Sequence, residues 1–104
     1  MLEELGFTPI LGSGNTMLGR EDGETDALLA QVKSTDGAAI SVKRQDLKDL
    51  AYHAYRARRK KPVFIADFGE GDCWVLVRPE DLDEVAYQMT RARLEIKNET
   101  GNCD

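Results

Sequence analysis

Ala27-Leu28-Leu29-Ala30-Gln31-Val32-Lys33-Ser34-Thr35 is an apolar run that ends in an amide, a lysine and two hydroxyls. It reads as a β-strand with a buried first half and a polar end. Side chains alternate along a strand, so Ala27, Leu29, Gln31 and Lys33 share one face and Leu28, Ala30 and Val32 the other. A run that is apolar on both faces predicts a strand covered on both sides.

Immediately before it, Glu21-Asp22-Gly23-Glu24-Thr25-Asp26 places four carboxylates in six residues. If the strand is regular back to Asp26, that carboxylate points away from Gln31 and Lys33. A carboxylate that joins them must come from before the turn. Asp22 or Glu21 meets that condition through a tight hairpin at Gly23 to Asp26. Thr16 to Arg20 is a short strand or irregular. Gly12-Ser13-Gly14-Asn15 is a tight loop whose glycines let the backbone approach another group closely. Ser13 and Asn15 can hydrogen-bond a phosphate there, although plain turn chemistry is the commoner use of such residues. At the start, Leu2, Leu5 and Phe7 suggest a helix stub broken at Gly6. Thr8-Pro9-Ile10-Leu11 is extended, because the residue before proline is pushed toward β.

After the strand, Asp36-Gly37 signals a turn and Ile40-Ser41-Val42 a short strand or extended link, with Ser41 as the expected helix N-cap. Leu47, Leu50, Ala51, Ala54 and Ala57 form one helical stripe. Lys48, Tyr52, Arg56 and Arg59 lie on another face, and the helix should end in the basic run before Pro62. Val63 to Phe68 is a core strand, Gly69-Glu70-Gly71-Asp72 a hairpin loop and Cys73 to Val77 its partner strand. Pro79 opens a helix whose first turn carries Glu80, Asp81 and Asp83 at the positive end of the dipole. Its expected buried stripe is Leu82, Val85, Ala86 and Met89, with the helix running to about Ile96. The pattern is α/β with one mixed sheet flanked by helices. The expected organisation is a single domain over residues 1–97 and a flexible tail over 98–104.

The 104 residues suffice for one small core. No apolar stretch approaches the roughly 20 residues of a membrane span, and Met1-Leu2-Glu3-Glu4-Leu5 lacks the basic start of a signal peptide. A cytoplasmic protein is expected, with Cys73 and Cys103 as reduced thiols. Net charge is -5, but Lys43 to Lys61 holds eight basic and two acidic residues, so this segment is +6 and the remainder -11. Such a local surface can meet a phosphate backbone; a solvated helix face is the alternative. His53 reads as an ordinary helix residue and Trp74 as core or dimer interface.

Hydrolysis of a phosphodiester at neutral pH needs an activated water and charge neutralisation, which bound Mg²⁺ can provide. That ion accepts a few oxygen ligands and keeps several waters. Asp22, Gln31 and the Val32 carbonyl can supply such ligands, with Glu21, Glu24 or Asp26 as possible additions. Lys33 can orient the water or stabilise developing negative charge. Gln31 is a neutral ligand and brings no charge. A plain strand ending in lysine is the commoner use of this pattern.

Taken in order, Gly12-Ser13-Gly14, Asp22, Gln31-Val32-Lys33-Ser34, Asp36-Gly37, Gln45 and Pro62-Val63-Phe64, followed by Trp74 and a final helix, resemble the PD-(D/E)XK nuclease superfamily. The resemblance is to small phage and archaeal Holliday junction resolvases. It implies a restriction-endonuclease-like core and a metal-dependent endonuclease acting on branched or double-stranded DNA as a homodimer. It implies Mg²⁺, for which Mn²⁺ can substitute. The implied catalytic residues are Asp22, Gln31 and Lys33, and the implied metal ligands Asp22, Gln31 and Val32. Ser13, Asn15, Ser34, Lys43, Arg44, Gln45 and Lys48 are the expected DNA contacts. Relatives carry a glutamate on a full N-terminal helix; here only Glu3 and Glu4 stand in that region. A catalytically weak DNA-junction-binding module of the same fold is the alternative.

Overall fold

The computed structural model describes residues 2–10 and 22–99. A five-stranded mixed sheet has the order β1-β2-β3-β4-β5. Its strands are β1 (Thr8–Pro9), β2 (Gly23–Glu24), β3 (Leu28–Ser34), β4 (Lys61–Asp67) and β5 (Cys73–Leu76). Helix α1 (Arg44–Arg56) joins β3 to β4, and α2 (Leu82–Glu99) follows β5. Pairing is antiparallel except between β3 and β4, which are parallel. A parallel pair needs a crossover, and α1 is that crossover.

The quoted apolar run is the sheet's middle strand. Its two faces divide as the alternation predicts. Leu29 joins Leu50, Ala54 and Phe64 beneath α1. Leu28 and Ala30 join Phe7, Val63, Ile65 and Val85 on the side of α2. Ala27 departs from this: it lies in the turn and packs with the Leu28 cluster. Leu28, Val63, Ile65 and Val85 are the largest fully buried side chains, and each such burial contributes about 1.5–3 kcal/mol. Apolar burial on two faces is what fixes β3 and β4 at the centre.

The hairpin before β3 is shifted from its expected place. Gly23 and Glu24 form a strand, not the turn, and the turn covers Thr25 to Ala27. The Thr25 hydroxyl accepts from the N–H of Ala27 (3.2 Å) and of Leu28 (3.0 Å), closing the turn with a side chain. Helix α1 begins later than expected. Lys43, not Ser41, is its N-cap, and no side chain caps it. Residues 40–43 are an extended link without strand pairing.

Helix α2 starts after a 3-10 turn, Pro79–Asp81. Its buried stripe keeps Val85 and Met89 of the expected set but not Leu82 or Ala86. Asp81 is 3 % exposed and Leu82 is 56 % exposed. Asp81, Val85, Met89 and Ala92 recur at i, i+4, i+8 and i+11, so a carboxylate occupies the stripe's first position. Arg78 Nε donates to Asp81 Oδ2 at 2.6 Å, and Lys61 Nζ lies 3.7 Å from Oδ1. These cations let a carboxylate sit where an apolar side chain was expected. Ala86 is exposed. The helix runs to Glu99, past the expected start of the tail at residue 98.

At the N-terminus a 3-10 turn, Glu3–Leu5, ends at Gly6 with φ of 94°. A Cβ there would lie 2.5 Å from the Cβ of Ala92, so Gly6 lets this turn lie directly on α2. Among the described residues no helix is long and apolar enough to cross a membrane.

Candidate functional site

β2 brings Asp22 to the polar half of β3. Gly23 pairs with Ala30 and Glu24 with Leu29. The Asp22 N–H also donates to the Ala30 carbonyl, at 2.8 Å. Two successive residues thus oppose one, which is the geometry of a β-bulge. The bulge turns the Asp22 side chain along the ladder, where Oδ2 accepts from the Val32 N–H at 2.7 Å. The carboxylate therefore occupies the place of the next backbone acceptor. Asp26, by contrast, is exposed in the turn.

An extended residue turns its N–H and C=O to the same edge of its strand. The Val32 carbonyl is accordingly turned to the edge that Asp22 occupies. Gln31 and Lys33 continue the row of Leu29 on the α1 face, both half-buried. Lys33 Nζ donates to the Ser41 carbonyl at 2.8 Å. This bond spans from the end of β3 to the link that leads into α1. Ser34 is exposed at the end of the strand, and the Thr35 N–H donates to the Asp67 carbonyl at 3.0 Å.

The oxygens of Asp22, Gln31 and Val32 are hard donors, fit for Mg²⁺, which needs few protein ligands and retains water. They carry a single negative charge. Among the described residues no three His, Cys, Asp or Glu side chains are grouped so as to hold a metal ion.

The expected DNA contacts other than Ser34 fall into three groups. Ser13 and Asn15 lie outside the described residues, as does Glu21. Lys43, Arg44 and Lys48 are exposed on or beside the first turns of α1, which follow the link whose Ser41 carbonyl accepts from Lys33. Gln45 is exposed there too, and its Nε2 donates to Asp49 Oδ1 at 2.8 Å.

The segment from Lys43 to Lys61 does not form one basic surface. A 13-residue helix is about 20 Å long, and the basic run Arg56 to Lys61 sits at its far end. There the Lys61 N–H donates to the Ala27 carbonyl at 2.8 Å, placing the run at the start of β3. Arg58 and Arg59 have φ of 63° and 58°, so the chain reverses through two left-handed residues. Arg56 and Arg59 lie over the rings of Tyr52 and Tyr55, each at 5.8 Å.

This far end holds an open cavity of about 520 Å³ lined by Thr8, Glu24, Asp26, Arg58 and Lys60 among others. Lys60 Nζ meets Glu24 Oε1 at 2.6 Å. The sequence contained a signal for this meeting. In a strand-helix-strand crossover the helix must end near the start of the first strand, so an acidic turn before β3 faces a basic run before β4.

Trp74 is not in the core. It is 66 % exposed on β5, and its Nε1 donates to Asp72 Oδ1 at 2.8 Å. His53 is a half-buried helix residue with its ring 5.8 Å from that of Tyr52. No protein-family model, curated protein or solved structure matches the chain.

Proposed function

We propose that this chain is a Mg²⁺-dependent, structure-specific DNA endonuclease with a restriction-endonuclease-like core, similar to Holliday junction resolvases. The observation that carries the reading is the Asp22 carboxylate held on the Val32 N–H at 2.7 Å, one residue from Lys33. The order acid, strand, lysine, basic helix start and parallel strand also agrees with the resemblance. Asp22, Gln31 and the Val32 carbonyl would hold the ion, and Mn²⁺ would serve as well. Bound there, the ion supplies an acidified water and neutralises phosphate charge. Lys33 exchanges its Ser41 acceptor for the scissile phosphate or the attacking water, where its charge opposes the negative charge that builds up. Lys43, Arg44 and Lys48 neutralise phosphates beside the cut and fix the register of the duplex. Because a junction is cut on two strands, the working form is a homodimer.

The test is cleavage of a labelled four-way junction in Mg²⁺ by the wild type and by Lys33→Ala. Product from the wild type alone is expected. No product at high protein, or equal product from both, would rule out this assignment.

Two observations favour a second reading. Lys33 is already engaged by Ser41, and the ligand set has one carboxylate. A junction-binding module without cleavage accounts for both. It would show salt-sensitive binding, no product, and no calorimetric Mg²⁺ binding at millimolar concentration.

A further inference from the structure

The sheet's last strand carries an unusual edge. Among the described residues β5 pairs with β4 alone. Edge strands are normally protected by lysine, proline or a bulge. From Cys73 to Val77 this one has no charge and no proline. Trp74, Val75 and Leu76 are 66 %, 39 % and 46 % exposed. Beside them, between α1 and β5, runs an apolar groove of about 200 Å³ lined by Leu47, Leu50, Phe64 and Leu76.

We propose that the occupant of this edge is a second copy of the chain, paired β5 to β5 antiparallel about a two-fold axis at Val75. The backbone selects this register. The Phe68 N–H donates to the Asp72 carbonyl, and Phe64 pairs with Leu76. Residues 72, 74 and 76 therefore turn their backbone groups toward β4, and 73, 75 and 77 turn theirs outward. A dyad at Val75 sets Val75 against Val75 and Cys73 against Val77, so the outward-facing groups meet as hydrogen-bonded pairs. It also sets Trp74 against Leu76, on the α1 face, where the indole covers the groove of the other copy. The ends are complementary in charge: Asp72 of one copy meets Arg78 of the other. A dyad one residue earlier, at Trp74, would place Asp72 against Leu76 and lose both matches.

The consequence reaches the candidate site. Val75 is in register with Ile65, and Ile65 with Val32. The axis is therefore level with Val32 and Lys33. A dyad normal to the sheet keeps both α1 faces on one side. The two copies of β3 would lie five strand spacings apart, about 24 Å at 4.8 Å each before twist. This supplies the homodimer that the proposed function calls for. It rests on the edge and not on nuclease chemistry, and its readout is mass, not cleavage.

The experiment is light scattering and sedimentation of the full chain over a dilution series. The expected mass is twice 11.6 kDa, falling to 11.6 kDa on dilution. Val75→Lys, which puts two ammonium groups at the axis, should give monomer with an unchanged circular dichroism spectrum. Asp72→Arg, which sets guanidinium groups against each other, should raise the dissociation constant at least tenfold. Independently of either, Val75→Cys should cross-link to itself on mild oxidation, because a hydrogen-bonded pair has Cα atoms about 5.5 Å apart, within disulfide reach. A peptide map must show residue 75 joined to residue 75. A wild type that is monomeric throughout, or a dimer that survives Val75→Lys and gives no such peptide, overturns the pairing.

Discussion

The Asp22 carboxylate accepts the backbone N–H of Val32 at 2.7 Å, ten residues along the chain. This bond serves structure and candidate chemistry at once. It closes the ladder where β2 stops, and it holds an acid beside the polar half of β3. Asn and Ala substitutions separate the two roles. Asp22→Asn retains an oxygen acceptor, so the melting temperature should change little while cleavage disappears. Asp22→Ala leaves the half-buried Val32 N–H without its charged acceptor, at a cost of about 2 kcal/mol. Denaturant unfolding and junction cleavage, measured on both variants, check this. Equal destabilisation by the two would mean that the carboxylate's charge, not its hydrogen bond, holds the hairpin.

Gly6 should be far less tolerant of a methyl group than the hairpin glycines. All three have positive φ: 94° at Gly6, 90° at Gly69 and 82° at Gly71. A Cβ at Gly69 or Gly71 meets nothing within 4 Å, whereas at Gly6 it meets Ala92 at 2.5 Å. Gly69→Ala and Gly71→Ala should each cost about 1 kcal/mol, the strain of a left-handed alanine. Gly6→Ala adds overpacking and should cost about 2–4 kcal/mol. Urea midpoints at constant m-value provide the comparison.

The buried Asp81 makes its cluster asymmetric. Arg78 and Lys61 are 44 % and 42 % exposed in their side chains, Asp81 only 3 %. Removing the carboxylate lets two half-exposed cations return to water. Removing Arg78 leaves a buried charge with one distant partner. Arg78→Met should therefore destabilise by about 2 kcal/mol and Asp81→Asn by about 1 kcal/mol. The reverse order in thermal unfolding would refute this account.

Much of this fold is legible in the sequence because burial there is two-sided. Leu28 to Val32 and Val63 to Ile65 announce central strands, and the stripe through Leu50 and Ala54 announces α1. What misleads is polar chemistry that replaces an expected apolar or capping residue. Asp81, at the end of the 3-10 turn, takes the buried position one turn before Val85 because Arg78 and Lys61 neutralise it, and Leu82 is left exposed. Ser41 resembles a cap, yet its carbonyl serves Lys33 while the uncapped Lys43 begins the helix. Strand parity turns Asp26 away from Gln31 and Lys33 and leaves Asp22 or Glu21 as the acid; the resemblance points to Asp22. The bulge at Asp22 is not legible, since a one-residue offset leaves no trace in a period-two pattern. Nor does net charge by segment show that Lys43 and Lys61 stand at opposite ends of a helix.

Cys73 should be slow to alkylate. Burial pushes its thiol above the ordinary value, and the carboxylates of Asp67 and then Asp72 push it further. The folded chain therefore holds this proton to higher pH than the unfolded chain. The folded state binds more protons in that interval, so stability falls as pH rises from the ordinary thiol range toward the raised value. Peptide-resolved iodoacetamide labelling should show Cys73 reacting more slowly in the folded protein than in urea. Asp67→Asn should shift the labelling profile to lower pH; a profile that does not move would leave burial and Asp72 as the causes.

The two basic ends of α1 should differ in their response to salt. Lys43, Arg44 and Lys48 stand at the end of α1 that the Ser41 link, bound by Lys33, leads into, whereas Arg58 and Arg59 follow its other end, where Lys60 is already paired with Glu24. If DNA lies across the Lys33 end, only the first group releases counterions. Each phosphate contact contributes about 0.9 to the slope of log K against log salt. The Lys43→Gln, Arg44→Gln, Lys48→Gln triple variant should lower that slope by up to about 2.7 and weaken junction binding at every sequence tested. Arg58→Gln with Arg59→Gln should leave the slope unchanged. Fluorescence anisotropy titrations at several salt concentrations distinguish them. A fall confined to the Arg58 and Arg59 variant would move the DNA to the cavity end of the sheet, and with it remove Lys33 from contact with the scissile phosphate.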